Sequence, residues 1–416
     1  MSETAEQRLT RYLRPGTLQI AEPPPLALYI HLPWCLKKCP YCDFNSHEVM
    51  PAHTLGRPAK PGPRLGLGEE TERAYLDALY ADLEGSLPLV WGRPVHSVFI
   101  GGGTPSLFSP EAIGRLLERV RLLLPLLPGA EVTLEANPGT FERERFRAFR
   151  AAGVTRLSLG VQSFNDTMLQ RIGRVHDRAQ ALAAAEEAAT AFDTFNLDLM
   201  YALPGQTLAD LEADLATALA LAPPHLSVYH LTLEPNTVFA SRPPPGLPGD
   251  DAAAQMLDAI TARTAAGGLA RYEVSAFARP GHRSRHNLNY WQFGDYLGLG
   301  AGAHGKLSYA HRVVRQVRWR EPAAYLREAL RGQAISNDEE VSRRALPFEF
   351  MLNALRLREG FAERLFTERT GLPPSAMAAP LATAQARGLM EQVDGHWRCT
   401  DKGFDFLSDV QALFLA

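Results

Sequence analysis

The sequence contains few cysteines and no excess of positive charge. Each of these features excludes or disfavours a class of protein. Only four of its 416 residues are cysteine, too few to hold a chain of this length together with disulfides. Lys and Arg together number 43 against 46 Asp and Glu, which gives a net charge of -3. Because a nucleic-acid binder is expected to carry a basic excess, this balance disfavours nucleic acid as a partner.

Long apolar runs are also missing. The N-terminal segment MSETAEQRLTRYLR is charged and lacks the apolar stretch of a secretory signal. The longest stretch without a charged residue, 215–233, contains two prolines and two histidines, which is typical of a helix end, a turn and a buried strand. The sequence therefore predicts a cytoplasmic protein without a transmembrane segment, and it leaves peripheral membrane contact open.

Short apolar strands alternate with longer helical segments through the first 300 residues. The predicted strands are 26–32, 96–103, 132–138, 156–163, 195–204 and 225–233. Strand and helix alternating about six times predict right-handed crossovers and a parallel sheet. No G-x-G-x-x-G opens a helix, which disfavours an open dinucleotide-binding sheet, and polar residues cluster where the strands end. We therefore predict an α/β fold built on a partial parallel (β/α)6 TIM-like barrel.

The pattern changes towards the C-terminus, where three predicted helices, a hairpin turning at Asp394–Gly395 and a closing helix form a small α+β winged-helix-like domain. Residues 341–416 contain nine Lys or Arg and nine Asp or Glu, so packing or partner binding is favoured over DNA binding. The Pro- and Gly-rich residues 50–70 are predicted to form a loop. The predicted domains are an N-terminal extension (1–25), the partial barrel (26–305), a connecting region (306–337) and the C-terminal domain (338–416).

Three of the cysteines, Cys35, Cys39 and Cys42, form a C-x3-C-x2-C motif directly after the first predicted strand. A short loop can bring three sulfurs to a common centre. Zinc would need a fourth ligand, which Asp43 or His47 could supply, and a ferredoxin-type cluster would need a fourth cysteine. Three thiolates on four irons would instead leave one iron open to a small molecule.

This loop, with Tyr41 before its last cysteine, resembles the radical S-adenosylmethionine superfamily. The resemblance implies a [4Fe–4S] cluster on the three cysteines and S-adenosylmethionine on the open iron. It also implies an electron donor as a partner, because one electron from the reduced cluster cleaves S-adenosylmethionine to a radical. The segment GGGTPS (101–106) resembles the glycine motif of that family, which implies that Gly102, Gly103 and Thr104 contact the ligand.

Four further polar residues lie at or just beyond predicted strand ends. A pocket for S-adenosylmethionine requires a cation for the carboxylate and acceptors for the amino group and the ribose hydroxyls. Each residue alone would more often be structural, but together they match this requirement. The four residues are Glu135, Gln162, Arg174 and Asp198.

The order of these residues, with Tyr29 before the loop, resembles the subfamily of the oxygen-independent coproporphyrinogen oxidase and its relatives. The oxidase branch carries a further cysteine two positions after the third cluster cysteine, where this chain has Phe44. The haem chaperone branch carries H-N-x-x-Y-W, which HNLNYW (286–291) matches. The resemblance therefore favours a haem chaperone that transfers haem to an unidentified acceptor protein.

In this interpretation haem is bound near His286, Tyr290 and Trp291, an imidazole with flat apolar side chains beside it, and His304 is a weaker ligand candidate. Three alternatives stay open. His286 could be a core histidine packed at a domain junction. The protein could be a coproporphyrinogen III oxidase, or a radical enzyme that modifies haem or transfers a methyl group.

Overall fold

The computed structural model describes residues 3–49, 67–139 and 145–415. Residues 50–66 of the predicted Pro- and Gly-rich loop lie outside the described residues, and a helix begins at Glu69. The strands of the large sheet and of a two-stranded sheet beside it are β1 (Leu26–Leu32), β2 (Trp34–Cys35), β3 (His47–Glu48), β4 (Val95–Gly102), β5 (Leu126–Ala136), β6 (Arg156–Gln162), β7 (Thr194–Tyr201), β8 (His225–His230), β9 (Ala270–Arg271), β10 (Ala276–Ala278), β11 (Asp295–Leu299), β12 (His304–Tyr309), β13 (Arg312–Arg318) and β14 (Ile335–Glu340).

The large sheet has the strand order β14-β13-β12-β11-β1-β4-β5-β6-β7-β8-β10-β9. All six predicted strands form, as β1 and β4 to β8, and each pairs in parallel with its neighbour. Apolar side chains such as Leu28, Ile100 and Leu134 are fully buried along them. Burial on both faces is typical of parallel strands covered by helices. The predicted parallel α/β fold is confirmed.

Helices connect these strands and cover the sheet, and their ends carry recognisable capping residues. Ser109 caps the third helix by accepting from the Ala112 amide, and Pro110 occupies its first turn. Asp177 and Thr207 each form a capping box at later helices. The helices before the C-terminal domain are α1 (Ala5–Tyr12), α2 (Glu69–Ser86), α3 (Pro110–Leu123), α4 (Phe146–Ala151), α5 (Asp166–Arg171), α6 (Arg178–Ala191), α7 (Leu208–Ala220), α8 (Val238–Ser241), α9 (Asp250–Ala266), α10 (Arg285–Trp291) and α11 (Pro322–Ala329).

The chain returns to the sheet after α10, on the far side of β1. Strand β11 pairs in parallel with β1, and β12 to β14 continue the sheet as antiparallel strands. Residues 306–337, which the sequence indicated to be a connecting region, therefore supply most of β12, all of β13 and the start of β14. A buried ion pair between Lys306 and Asp295, at 3.0 Å, joins β12 to β11.

The C-terminal part contains a three-stranded sheet in the order β15-β17-β16. Its elements are α12 (Leu346–Ala354), β15 (Phe361–Ala362), α13 (Glu363–Thr370), α14 (Ser375–Ala386), β16 (Met390–Val393), β17 (His396–Cys399), α15 (Asp401–Asp405) and α16 (Leu407–Ala412). The predicted hairpin forms, and Asp394 and Gly395 both have the positive φ that a tight two-residue turn requires.

Two details of the C-terminal prediction are wrong. Residues 338–340, the first residues of the predicted C-terminal domain, are instead the end of β14, because they pair with β13 of the large sheet. The expected single closing helix is broken at Phe406, whose ψ of 40° interrupts the helical backbone between α15 and α16. This part has its own apolar core, which includes Phe350, Phe366 and the free thiol Cys399.

Candidate cofactor site

The cysteine motif forms a loop beyond the carboxyl end of β1. Its start and its end are held together, because β2 and β3 pair with Trp34 opposite His47. Asn45 fixes the loop to distant parts of the chain by donating to the carbonyl oxygens of Ala301 at 2.9 Å and Arg320 at 2.8 Å. Cys35, Cys39 and Cys42 all line one cavity of about 420 Å³, which we call the main cavity.

Burial in the cavity favours the uncharged form of two of these thiols, Cys35 and Cys42. Burial raises the pKa of Cys35 to about 11, although the Thr104 hydroxyl donates to its sulfur at 3.6 Å. Burial likewise raises the pKa of Cys42, whose sulfur contacts the Ser46 hydroxyl at 3.7 Å. A metal centre bound here would therefore have to displace protons from thiols.

The donor atoms fit a cluster better than a single metal ion. Within the described ranges, no three His, Cys, Asp or Glu side chains are placed to hold one metal ion. His47, the alternative zinc ligand, does not line the main cavity, whereas Asp43 does. A four-iron cluster is larger than one ion and needs its three thiolates spread around a wider space. The three thiols and the lack of a fourth cysteine in this lining fit a three-cysteine iron–sulfur cluster.

The glycine motif at the end of β4 packs directly against the cysteine loop. The amides of Gly103 and Thr104 donate to the carbonyl oxygens of Leu32 at 2.8 Å and Trp34 at 2.7 Å. A Cβ on Gly102 would lie 2.6 Å from the His31 ring, and one on Gly103 would lie 2.5 Å from the Trp34 carbonyl oxygen. Both positions therefore need glycine for close packing, and both glycines line the main cavity with Thr104.

Glu135 and Asp198 bring two carboxyl groups to the inner face of the sheet. Glu135 accepts from the Gly102 amide at 3.0 Å, and burial, with the nearby Asp198, raises the pKa of Glu135 to about 8. Asp198 accepts from Ser158 at 3.0 Å and from Asn196 at 2.8 Å, and burial raises its pKa. The ligand-free cavity thus disfavours negative charge at these carboxyls, and a cationic ligand would relieve that cost.

Arg174 is a cation from outside the cysteine loop that contacts one of its sulfurs. Its guanidinium donates to Asn137 at 2.6 Å, to the Gly160 carbonyl at 2.7 Å and to the Cys39 sulfur at 3.8 Å. Among the described residues, its buried Nε has no hydrogen-bond partner. Gln162, at the end of β6, lines the same cavity and has a φ of 67°. Arg174 therefore has a spare donor in a cavity that also holds thiols and carboxyls.

Several further polar residues line this cavity that the sequence motifs did not predict. Asn137 joins Thr104 to Arg174, since it donates to the Thr104 hydroxyl at 2.8 Å. The others come from β6, β7 and β8, where every second side chain faces the cavity, and a polar side chain at every second position of an apolar strand is the signal that could have found them. These residues are Ser158, Asn196, His225, Ser227 and Tyr229.

His286, on α10, lies behind the wall of the main cavity. It is 1% exposed, its Nδ1 contacts the Ser97 hydroxyl at 3.0 Å, and its ring stacks on Phe99 with 5.0 Å between centroids. Burial lowers the pKa of His286 to about 3, so the ring is neutral. Its Nε2 is buried, and no group in the described part of the chain forms a hydrogen bond with it.

The other two residues of the HNLNYW motif face different surroundings. Tyr290 lines a smaller cavity together with Tyr29, whose hydroxyl contacts His31 Nδ1 at 2.9 Å. Trp291 lies under the guanidinium of Arg356, 4.2 Å from the ring centroid. The structure therefore does not bring His286, Tyr290 and Trp291 to one cavity.

Three free cysteines and several polar side chains converge beyond the carboxyl edge of a parallel sheet. This arrangement is typical of partial-barrel proteins that bind a cofactor at that edge. Residues 29–218 match the model of the radical SAM superfamily, and residues 341–406 match that of the HemN C-terminal domain. Coproporphyrinogen III oxidase (HemN) from Escherichia coli has a similar fold, with a TM-score of 0.76 at 23% identity, over 95% of this chain and 91% of that chain.

Curated relatives of similar length narrow the class to a family. The heme chaperone HemW of Escherichia coli (strain K12) is 43% identical over 94% of this chain and 99% of its own length. HemW of Haemophilus influenzae is 44% identical over 94% and 98%, and HemW of Mycobacterium tuberculosis is 40% identical over 81% and 83%. This chain belongs to the HemW family of the radical SAM superfamily. Among the helices that the structure describes, none is long and apolar enough to cross a membrane.

Proposed function

We propose that this protein is a haem chaperone that binds haem and transfers it to an acceptor protein, and that it carries a [4Fe–4S] cluster and S-adenosylmethionine. The observation that carries the proposal is the 43% identity to a heme chaperone over 99% of that relative's length. The main cavity supports the cofactor part, because its lining places the three thiols together with Arg174, Glu135 and Asp198.

In this proposal Cys35, Cys39 and Cys42 hold the cluster. When bound, such a cluster supplies an electron and an open iron position to S-adenosylmethionine. The chain itself would position the three sulfurs and stabilise the negative charge of the thiolates through hydrogen-bond donors. The Thr104 hydroxyl and the Arg174 guanidinium, which already contact the sulfurs of Cys35 and Cys39, suit this role.

S-adenosylmethionine would then bind beside the cysteine loop. The spare Nε donor of Arg174 suits its carboxylate, and Glu135 in the ionised form suits its ammonium group. Asp198 and Gln162 are the proposed acceptors for its ribose hydroxyls and amino group. Gly102 and Gly103 have no side chain between the β4 backbone and the ligand.

The alternative function, a coproporphyrinogen III oxidase, is not favoured. The structural similarity to HemN reflects the fold alone, whereas the relatives of 40% identity or more given above are named heme chaperones. Phe44 also stands where the oxidase branch has a further cysteine. Its side chain is 58% exposed at the edge of the main cavity and offers no thiolate.

Two parallel incubations of the cluster-reconstituted protein test this proposal. One contains ferric haem, and the other contains coproporphyrinogen III, S-adenosylmethionine and a reductant as electron donor. We expect a new Soret band in the first and no protoporphyrinogen in the second. Formation of protoporphyrinogen would establish the oxidase, and a missing Soret band would refute haem binding.

A further inference from the structure

A second cavity of about 320 Å³ adjoins the main cavity, and the cofactors proposed so far leave it without a ligand. Asp43 and Phe44, the two residues that follow the last loop cysteine, line both cavities. The remaining walls come from β1, α10, β11, β12 and the residues after β11 and β13. A ligand in this second cavity would therefore lie directly beside the cysteine loop.

We propose that the second cavity is the haem-binding site, with His304 as the axial iron ligand and Arg320 as the partner of a haem propionate. This inference rests on the proposed haem chaperone function and specifies where that function takes place. It assigns iron ligation to His304 rather than to the buried His286.

The walls of the second cavity suit a flat aromatic ligand. Tyr290 and Tyr296 are packed edge to face, with 4.4 Å between their ring centroids. Arg315 holds Tyr296 in place by donating to its hydroxyl at 3.0 Å. Phe44 adds an exposed aromatic ring at the edge shared with the main cavity. Aromatic faces of this kind bury a porphyrin with little loss of side-chain entropy.

Two histidines line the second cavity, and only one of them is available as a ligand. Both ring nitrogens of His31 already form hydrogen bonds, Nδ1 with the Tyr29 hydroxyl at 2.9 Å and Nε2 with the Asn45 carbonyl oxygen at 2.9 Å. His304, at the start of β12, is exposed, and in the described parts of the chain neither of its ring nitrogens has a hydrogen-bond partner. An imidazole with free nitrogens at the wall of an aromatic cavity is the donor that haem iron requires.

His286 is less suited, since its ring is 1% exposed and does not line the second cavity. It contacts Tyr290 edge to face at 5.0 Å between centroids, so it supports the wall from behind. This arrangement gives the motif around His286 a role in shaping the cavity that does not require iron ligation.

Arg320 supplies the charge that a porphyrin with two carboxylates needs. Its side chain is exposed at the second cavity, and none of the described carboxylates forms an ion pair with it. The Asn45 amide donates to its backbone carbonyl and so fixes its position relative to the cysteine loop. Guanidinium groups bind carboxylates through paired hydrogen bonds, so a propionate is expected at this side chain.

The volume of the second cavity is at the small end of the range for ligand sites, so haem bound there would be only partly enclosed. Partial burial suits a protein that must release its ligand to an acceptor, because a fully enclosed porphyrin would dissociate slowly. Its position next to the proposed cluster also places haem within contact distance of Phe44.

The test is a titration of ferric haem into the full-length, cluster-reconstituted protein, followed by difference spectra in the Soret region. His304→Ala is expected to shift the Soret band, and added imidazole is expected to restore it. Arg320→Ala is expected to weaken binding roughly tenfold without shifting the band. His396→Ala and Arg387→Ala, at exposed positions of the C-terminal part, are the matched controls and are expected to behave as wild type.

The possible outcomes separate this inference from the function on which it rests. A wild-type protein that binds no haem refutes the chaperone function itself. A normal wild-type Soret band that persists in His304→Ala, or that shifts in His286→Ala instead, refutes this site and leaves the function intact. If His304→Ala fails to fold, then His304→Gln, which keeps a polar side chain at the start of β12, replaces it in the same comparison.

Discussion

Glu135 provides a test of the cavity electrostatics that does not depend on any cofactor. Burial and the neighbouring Asp198 raise its pKa from the usual 4.5 to about 8. The folded protein therefore keeps this carboxyl group protonated at pH values at which the unfolded chain has released the proton. Because the unfolded state binds fewer protons, the free energy of unfolding falls as pH rises from about 4.5 to about 8, by roughly 1.4 kcal/mol per pH unit.

The substitution Glu135→Gln isolates this contribution. Glutamine keeps the size of the side chain and an oxygen that can accept from the Gly102 amide, but it cannot ionise. The variant should become more stable relative to wild type by about 2 kcal/mol between pH 6 and pH 8. Urea unfolding of both proteins without S-adenosylmethionine, at the two pH values, measures this change. Glu118→Gln, on an exposed part of α3, is the control.

A difference between wild type and Glu135→Gln that stays constant from pH 6 to pH 8 would refute the reasoning, because it would mean that Glu135 titrates alike in both states. A second measurement extends the test to the ligand. If the cationic groups of S-adenosylmethionine bind beside Glu135, its carboxyl group should ionise and release a proton at pH 7. Calorimetry in two buffers with different heats of ionisation detects that proton.

Three other variants test the remaining assignments. Cys39→Ala should lose most of the iron and the brown absorbance while Cys399→Ala keeps both, and full iron loading of Cys39→Ala would contradict the cluster assignment. Asp198→Ala should weaken S-adenosylmethionine binding roughly 10- to 150-fold with the cluster intact, so unchanged calorimetric affinity would make Asp198 structural. His286→Ala should cost about 2–3 kcal/mol of stability in thermal unfolding and leave the Soret band of added haem in place; a shifted band would instead support iron ligation by His286.

The sequence was sufficient to predict the six parallel strands of the barrel because each is an apolar run of ordinary strand length between clear helical segments. It did not reveal β11, since the segment that contains it, DYLGLGAGAH (295–304), has three glycines that weaken a strand pattern. Pairing with β1, which lies about 270 residues earlier in the chain, overrides that local weakness.

The candidate site likewise contains residues that local sequence patterns predict and residues that only the assembled fold brings together. The cysteine spacing and the glycine motif are local patterns, and they predict residues that do line one cavity. Asn196 and Ser227 are also cavity residues, and the alternation of polar side chains along β7 and β8 is a local sign that they share a face with their polar neighbours. Only the assembled sheet determines that this face lines the cavity. The position of His286 was beyond local prediction, because its burial depends on α10 packing against β4.

The Asn45 contacts have a consequence for the order of events during synthesis. Asn45 and its partner Ala301 are 256 residues apart in sequence, and Arg320 follows later still. At a synthesis rate of roughly 5–20 residues per second, the cysteine loop emerges on the order of 10 to 50 seconds before its anchor exists. The three thiols are then attached to a growing chain whose barrel edge is open, and closure must wait for the strand that completes it. The proposed cluster would therefore have an interval for loading in which the loop is not yet fixed by Ala301 and Arg320.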